Sequence, residues 1–289
     1  MNRRDFHLQL AATVSAFALP GCAQPARSPG QDKSWAAIES RSGGRLGVAV
    51  LQADGRLEGH ALDERFPMCS TFKWLAAAHV LQRVDRGIER LDRRIRFGRE
   101  VLLPHSPVTE KHVGEGMTLG ELCHATITTS DNAAGNLVLA SYGGPQGLTA
   151  YARSLGDHVT RLDRWEPELN EATPGDPRDT TTPRAMVQLL RKTLLGDALS
   201  PRSRDQLARW LEACETNGQR LRVGLPAGWR MGSKTGGGGR GTTNDVGIFW
   251  PPGRPPVLVA TYITDTQAPP ADRNGAIAAV ARQIHGAAG

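Results

Sequence analysis

The sequence has little lysine, few aromatic residues and no hydrophobic run long enough to cross a membrane, because the apolar run near its N-terminus is too short. Aromatic residues make up 5% of the 289 residues. Lysine occurs only at positions 33, 73, 111, 192 and 234, and arginine supplies the rest of the 35 basic residues. Hydrophobic residues at 39% and charged residues at 22% are nevertheless ordinary for a globular protein with a buried core.

The net charge of +6 raises the hypothesis of a nucleic-acid partner. The arginines are scattered among acidic residues, as in the run Glu89-Arg90-Leu91-Asp92-Arg93, and no basic run contains interleaved aromatic residues. Proteins that bind nucleic acids concentrate their basic residues in a patch or stripe. We therefore expect an arginine-rich solvated surface and no nucleic-acid partner.

Cysteine is too scarce for a disulfide framework. Cys22 lies in the N-terminal region, which leaves Cys69, Cys123 and Cys214. An odd number of cysteines cannot all pair within one chain, and a free cysteine most often behaves as a small buried hydrophobic residue. Cys69 precedes Ser70 and has an alternative interpretation as a catalytic thiol, but we expect all three to be buried packing residues.

The first 22 residues are predicted to be an export signal. Arg3 and Arg4 precede a short apolar run that ends in small residues, an order typical of secretory signals. The paired arginines favour a twin-arginine signal over a general secretion signal. Leu19-Pro20-Gly21-Cys22 resembles a lipoprotein processing site, and the sequence leaves open whether Cys22 carries a lipid anchor. We expect a polar linker at 23–34 and a mature protein in the periplasm.

Strand-like segments lie at both ends of the remaining sequence, and helix-like segments lie in its middle. Alternating and β-branched runs predict a hairpin and three later strands, at 45–51, 57–66, 227–231, 244–250 and 257–263. Apolar residues at helical spacing predict a helix from Ser70 and others near 119–128, 131–141, 147–155, 183–195, 203–214 and 271–284.

The economical fold for this pattern is α/β (α+β). An antiparallel five-stranded sheet with flanking helices is built from both termini, at 35–64 and 215–289. An all-helical domain at 65–214 is inserted between them. The cleft between two such domains is the expected active site.

Three short motifs place candidate catalytic groups along the chain. In Ser70-Thr71-Phe72-Lys73 the serine and lysine lie one helical turn apart, so a lysine amine of lowered pKa can activate the hydroxyl. Ser130-Asp131-Asn132 opens a later helix, and Lys234-Thr235-Gly236 follows the predicted strand 227–231. Each motif is weak alone, because an N-cap serine beside a surface lysine would explain the first. Together, in this order, they are typical of penicillin-recognising serine enzymes.

On these motifs the sequence resembles the class A serine β-lactamases over about residues 35–287. Glu166 and Asn170, in Glu166-Pro167-Glu168-Leu169-Asn170, match the residues that hold the deacylating water in that class, and a carboxylate facing a trapped water is a general base. The resemblance implies hydrolysis of penicillins and cephalosporins through an acyl-enzyme on Ser70, and hence β-lactam resistance. The alternative is a penicillin-binding transpeptidase, carboxypeptidase or β-lactam sensor that is acylated without turnover, and Glu166 with Asn170 argues against it.

The resemblance also implies a role for each further motif residue. The catalytic set is Ser70, Lys73, Ser130 and Glu166. Backbone N–H groups of Ser70 and Gly237 form the oxyanion hole. The residues expected to bind substrate are Asn132, Asn170, Lys234, Thr235, Gly236, Gly237, Arg220 and His105. The residues expected to support the site are Asn136, which orients Glu166, and the ion pair Arg164–Asp179, which joins the ends of the Glu166 loop.

Two positions depart from the common class A pattern in ways that affect the site. Asn244 stands where many relatives carry an arginine that supports carboxylate binding. Arg220 is expected to supply the guanidinium instead, as in a subgroup of the class; the alternative is that Arg220 is one more surface arginine. Position 77 is alanine, so the disulfide that many relatives form through the position of Cys123 is excluded.

The cleft mouth and the strand edge also depart from that pattern. Gly238 excludes a cross-link to Cys69 that some carbapenem-hydrolysing relatives form, which counts against carbapenem hydrolysis. His105 replaces an aromatic residue often found at the cleft mouth. The four glycines at 236–239 predict a yielding strand edge that admits bulky cephalosporins. We expect no metal, no cofactor, no partner protein and a monomer.

Overall fold

A computed structural model of the protein describes residues 35–287. The predicted export signal at 1–22, the linker at 23–34 and the candidate lipid site at Cys22 lie outside the described residues. None of the helices in the described part of the chain is long and apolar enough to cross a membrane.

The strands form one large sheet and two small ones. Their bounds are β1 (Arg45–Leu51), β2 (Leu57–His60), β3 (Phe66–Pro67), β4 (Arg94–Ile95), β5 (Met117–Thr118), β6 (Thr180–Thr181), β7 (Arg230–Gly237), β8 (Thr243–Trp250) and β9 (Val257–Thr264). The large sheet has the order β2-β1-β9-β8-β7, with every neighbouring pair antiparallel. The predicted five-stranded antiparallel sheet is thus confirmed.

Helices cover both faces of this sheet and fill the middle of the chain. Their bounds are α1 (Trp35–Ser42), α2 (Phe72–Asp85), α3 (Leu119–Thr128), α4 (Asn132–Ala140), α5 (Gly144–Ser154), α6 (Pro183–Leu194), α7 (Pro201–Glu212) and α8 (Pro270–Ala287). Strands β8 and β9 are buried along almost their whole length. That pattern is typical of a sheet with both faces covered, and it explains the continuous apolar runs in the sequence.

Two hydrophobic cores lie on opposite faces of the sheet. The smaller core joins α1 and α8 to the sheet and includes Ile38, Val259 and Val280. The larger core surrounds α2, on which every residue from Phe72 to Ala78 is buried. A helix segment that is buried on all sides lies inside a protein, so the side chains from Phe72 to Ala78 do not reach solvent. This burial matters for the one charged side chain in that stretch, at position 73.

Several predicted elements differ from those observed. Helix α1 was not predicted. Strand β7 runs from 230 to 237 rather than from 227 to 231, because pairing with β8 continues as far as Gly237 opposite Thr243. Lys234-Thr235-Gly236 therefore lies within the strand and not after it. The predicted strand 57–66 is divided, since β3 leaves the sheet and pairs with β6.

The described residues belong to one compact unit. The division into domains at 35–64 with 215–289 and at 65–214 stays a prediction. Cys69, Cys123 and Cys214 are free and buried, as the sequence predicts. Burial raises the pKa of the thiols of Cys69 and Cys123, so both stay protonated at neutral pH.

A histidine of α2 is sandwiched between two tyrosines inside the helical region. The ring centroid of His79 lies 4.3 Å from that of Tyr142 and 4.4 Å from that of Tyr151. His79 Nδ1 and both tyrosine hydroxyls are buried without a hydrogen-bond partner among the described residues. Burial, aided by the charges of Arg83 and Arg86, lowers the pKa of His79 from 6.5 to about 4. The folded protein therefore holds His79 neutral.

This arrangement predicts acid sensitivity. The unfolded chain binds a proton at His79 below about pH 6.5, whereas the folded chain does so only near pH 4, so the free energy of unfolding falls as pH drops through this window. We expect His79→Phe, which keeps the aromatic packing, to reduce the loss of melting temperature between pH 7 and pH 4.5. His124→Phe on the exposed side of α3 is the control. Equal pH dependence of wild type and His79→Phe would refute this account.

Candidate active site

Ser70 lies in the short turn that leads into α2. The turn spans Cys69–Thr71, and the Ser70 side chain is nearly buried. Its position is fixed through Met68, whose N–H donates to Asp179 O at 2.9 Å and whose carbonyl accepts from Asn244 Nδ2 at 3.1 Å. The start of a helix also supplies free N–H groups and a partial positive charge. A developing negative charge at Ser70 is favoured there.

Lys73 extends from α2 into a fully buried polar cluster. Its Nζ lies 3.0 Å from Glu166 Oε1, and both side chains have 0% exposure. The ammonium also donates to Ser130 O at 2.8 Å and to Asn132 Oδ1 at 2.6 Å. Burial lowers the pKa of Lys73, and the neighbouring Glu166 carboxylate opposes that shift. An amine in this setting can exchange a proton with its neighbours at modest cost.

Glu166 is positioned by contacts on both its backbone and its side chain. Asn136 donates to Glu166 O at 2.9 Å and accepts from Glu166 N at 3.0 Å. Asn170 Nδ2 donates to Oε2 at 2.5 Å. Oε1 accepts from Ser70 Oγ at 3.2 Å and faces Lys73. Glu166 rather than Lys73 is therefore the hydrogen-bond acceptor of the Ser70 hydroxyl among residues 35–287.

Ser130 joins the two lysines of the site. It adopts a left-handed φ of 64°, and Asp131 begins α4 by accepting from Ala134 N. Lys234 Nζ donates to Ser130 Oγ at 3.0 Å, and Lys73 Nζ approaches the same oxygen at 3.5 Å. Burial lowers the pKa of Lys234 to about 7, and the charge of Lys73 adds to the effect. The Ser130 hydroxyl thus lies between two ammonium groups that can supply it with a proton.

Arg220 reaches the same side of the site from the segment that follows α7. Its Nη1 donates to Gly236 O at 3.0 Å and to Asn244 O at 2.8 Å, and its Nε donates to Asn274 Oδ1. The charge of Arg220 is close enough to lower the pKa of Lys234. Arg220 is thus a half-buried part of the pocket, not one more surface arginine. The side chain of Asn244 points away from this pocket, because its amide donates to carbonyl oxygens of Pro67 and Met68.

Gly236 in β7 and Gly238 just after it serve close packing and not a yielding edge. A Cβ at Gly236 would lie 2.9 Å from Met68 O, and one at Gly238 would lie 2.6 Å from both Cys69 Sγ and Asn170 O. The N–H of Gly239, two residues after the end of β7, donates to Asn170 O at 2.8 Å. Real Cβ atoms do not come this close, so glycine lets the strand lie against the Ser70 turn and the Glu166 loop. The predicted yielding edge is therefore better described as a tightly packed one.

The cleft mouth is built from His105 and the start of α4. His105 is exposed, has a φ of 63° and places Nε2 2.8 Å from Thr129 O. Its carbonyl accepts from Asn132 N, while Asn132 Nδ2 donates to Pro104 O at 2.7 Å. Thr235, on the opposite side, has its hydroxyl 2.5 Å from that of Thr216. These groups are predicted to line the cleft that leads to Ser70.

An ion pair closes the loop that carries Glu166. Arg164 Nε lies 2.6 Å from Asp179 Oδ2, and the Asp179 side chain is 1% exposed. Asp179 Oδ1 accepts from the N–H groups of Asp163 and Arg164, and Asp163 Oδ2 accepts from Asp179 N. A buried carboxylate with three such donors holds both ends of the loop together. The loop is therefore ordered, as the sequence predicts.

The geometry supports acyl transfer at Ser70. A hydroxyl in contact with a carboxylate can be deprotonated, two lysines surround a second hydroxyl that can return a proton, and a cationic pocket lies beside them. Among residues 35–287, no group of three or more His, Cys, Asp and Glu side chains is placed to hold a metal ion.

Comparison with known proteins gives a consistent family. Residues 32–288 match the model of the β-lactamase enzyme family. The β-lactamase OXY-2 of Klebsiella oxytoca is 49% identical over 248 residues, which cover 86% of this chain and 86% of that protein. An ancestral (GNCA) class A β-lactamase structure is 64% identical with a TM-score of 0.86, covering 87% of this chain and 97% of that one. The chain belongs to the class A β-lactamases.

A second solved structure agrees with that assignment. The putative class A β-lactamase PenP from Rhodopseudomonas palustris is 59% identical with a TM-score of 0.86, over 88% of this chain and 97% of that chain. The resemblance inferred from the motifs is thereby confirmed. The structure brings the predicted catalytic residues of this class A chain together around Ser70, although their individual roles stay predictions.

Two polar residues of the site were not predicted from the sequence. Thr216 contacts Thr235, and nothing in its sequence context marks it. Asp245 lies opposite Thr235 in β8 and is fully buried. The sequence does contain a signal for Asp245, because an acidic residue near the start of an otherwise apolar strand needs a buried partner.

The ion pair Arg164–Asp179, which joins the ends of the Glu166 loop, can be tested by Asp179→Asn. This change removes the charge that faces Arg164, and we expect it to lower the free energy of unfolding by about 1–3 kcal/mol and to increase proteolysis within 164–179. The matched control is Asp176→Asn in the same loop, where the carboxylate pairs with the exposed Arg178. Equal stability and protease resistance of wild type and Asp179→Asn would contradict this role.

Proposed function

We propose that the protein hydrolyses the β-lactam ring of penicillins and cephalosporins through an acyl-enzyme on Ser70. The observation that supports this most strongly is the position of Glu166 Oε1, which contacts both Ser70 Oγ and Lys73 Nζ. A carboxylate at this point can accept a proton from the serine when it attacks and from a water when the ester is hydrolysed. Resistance to these antibiotics is the consequence.

In the acylation step, Ser70 Oγ attacks the lactam carbonyl carbon and gives its proton to the Lys73–Glu166 pair. The N–H groups of Ser70 and Gly237 stabilise the oxyanion that forms. The lactam C–N bond then breaks, and Ser130 Oγ donates its proton to the departing nitrogen. Ser130 regains a proton from Lys73 or Lys234, which lie 3.5 and 3.0 Å from its oxygen.

In the deacylation step, Glu166 accepts a proton from water, and the resulting hydroxide attacks the ester carbon. The bond to Ser70 Oγ breaks, and the proton returns to Ser70. Asn170, in contact with Glu166 Oε2, is suited to hold the water. This step separates an enzyme that turns over from a protein that its ligand merely acylates.

Substrate recognition is assigned to the two sides of the cleft. Lys234, Thr235 and Arg220 would bind the carboxylate of the antibiotic. Asn132 would form a hydrogen bond with the acyl-amide side chain of the antibiotic. His105 would contact groups at the entrance.

The compartment and assembly follow from the sequence alone. We infer export to the periplasm by the signal at 1–22, as a monomer that requires no partner protein. A lipid anchor at Cys22 is the alternative to a free periplasmic form.

Turnover distinguishes this function from that of a β-lactam sensor or transpeptidase. With a large molar excess of a chromogenic cephalosporin, we expect the purified protein to hydrolyse many equivalents, and Ser70→Ala to hydrolyse none above background. Ser200→Ala, which removes a hydroxyl far from Ser70 in sequence at the start of α7, is the control and should keep full activity. A burst of one equivalent would favour the sensor, and turnover by Ser70→Ala would contradict the mechanism.

The carboxylate pocket is tested by Arg220→Lys. Lysine keeps the positive charge. It lacks the planar guanidinium that lets arginine donate to a substrate carboxylate and to Gly236 O at the same time. We expect KM to rise about tenfold, with kcat changed about twofold or less. Arg230→Lys, at the exposed start of β7, is the matched control. Unchanged KM for the Arg220 variant would remove this residue from substrate binding.

A further inference from the structure

A buried acid lies behind the residues assigned to the substrate carboxylate. Asp245 stands in β8 directly opposite Thr235 and has 0% exposure. Its Oδ2 accepts from Leu221 N at 3.1 Å, and it accepts a further hydrogen bond from Ser233. Its Oδ1 is buried with no hydrogen-bond partner among residues 35–287. A buried carboxylate so incompletely bonded needs a further source of stabilisation.

That stabilisation comes from two cations that Asp245 does not touch. The charges of Arg220 and Lys234 both act on Asp245 and oppose the burial that raises its pKa to about 6. Neither cation donates a hydrogen bond to this carboxylate. Arg220 donates to Gly236 O, Asn244 O and Asn274 Oδ1, and Lys234 donates to Ser130 Oγ and Thr235 O, all of which are neutral acceptors.

This arrangement differs from that of the third cation of the site. Lys73 is in direct contact with Glu166, so its charge is compensated within the ion pair. Lys234 and Arg220 instead have a counter-charge close by but out of contact. A carboxylate in contact would compete with the substrate for the donors of these cations, whereas Asp245 is held back by its hydrogen bonds from Leu221 N and Ser233.

We propose that Asp245 is a positioning residue that keeps Lys234 charged and holds Arg220 directed at the substrate carboxylate without competing for it. The inference rests on the proposed function, because it needs the carboxylate pocket. Asp245 also acts on Arg220 through the backbone. Its carboxylate accepts a hydrogen bond from the N–H of Leu221, which is the residue after Arg220.

The proposal has a definite consequence for pH dependence. The groups that face the ammonium of Lys234 are Lys73 on α2, Arg220 and Cys214 from the segment after α7, and Asp245 on β8. Burial and the two cations lower the pKa of Lys234, whereas Asp245 raises it. Without the charge of Asp245, Lys234 must lose its proton at a lower pH, and binding of an anionic substrate must fail there.

The test is Asp245→Asn, which removes the charge and keeps the shape. We expect the alkaline limb of kcat/KM for a cephalosporin with a free carboxylate to move down by about one pH unit, with the change carried by KM. The KM of the methyl ester of the same cephalosporin should show no such movement. Asp205→Asn on the exposed side of α7 is the control, and circular dichroism melting establishes folding.

The outcomes separate this inference from the function on which it rests. A folded Asp245→Asn variant with the wild-type pH profile would overturn the role of Asp245 alone. Equal KM of wild type for the free acid and the ester would overturn the carboxylate pocket and this inference with it, while β-lactam hydrolysis itself would stand. If Asp245→Asn does not fold, Asp245→Ser removes the same charge from a smaller side chain. Failure of both variants to fold would also contradict the proposal, because Asp245 would then serve the fold.

Discussion

The buried ion pair between Lys73 and Glu166 is the interaction on which the rest of the site depends. Its two charged atoms are 3.0 Å apart and neither side chain reaches solvent. Removing two charges from water is costly, and removal of either partner alone would leave an uncompensated buried charge. The pair therefore exists only if the surrounding protein supplies further hydrogen bonds. Ser130 O and Asn132 Oδ1 do so for the ammonium, and Asn170 does so for the carboxylate.

The fold can be understood as the means of bringing these partners together. Lys73 comes from the buried first half of helix α2, Ser130 from the turn before α4, and Glu166 from a loop whose ends are joined by Arg164 and Asp179. Strand β7 completes the cleft, and Gly236 and Gly238 lie so close to the Ser70 turn that a Cβ at either position would clash. The proposed acylation and release steps share one continuous network of hydrogen bonds, because Glu166 contacts both Ser70 Oγ and Lys73 Nζ.

The sequence predicted most of this site but only part of the fold around it. A short motif such as Ser70 to Lys73 indicates the chemistry directly, because helical geometry alone places its serine and its lysine on one face. The glycine run at 236–239 predicts a yielding edge, because the sequence does not show that Gly238 and Gly239 pack against Asn170. Asp245 and Thr216 were missed for a similar reason, since their roles arise from contacts across β7. Long-range packing, which local patterns do not encode, accounts for these differences.

The most direct test of the central claim is to follow the covalent state of the protein after Glu166→Gln. Intact-protein mass spectrometry after mixing with a penicillin would record the acyl-enzyme and its lifetime. If Glu166 activates the water that releases Ser70, the variant will accumulate an adduct of one substrate mass that persists long after the wild-type protein has returned to its free mass. Rapid return of the variant to its free mass would show that another group performs the release, and it would contradict the account.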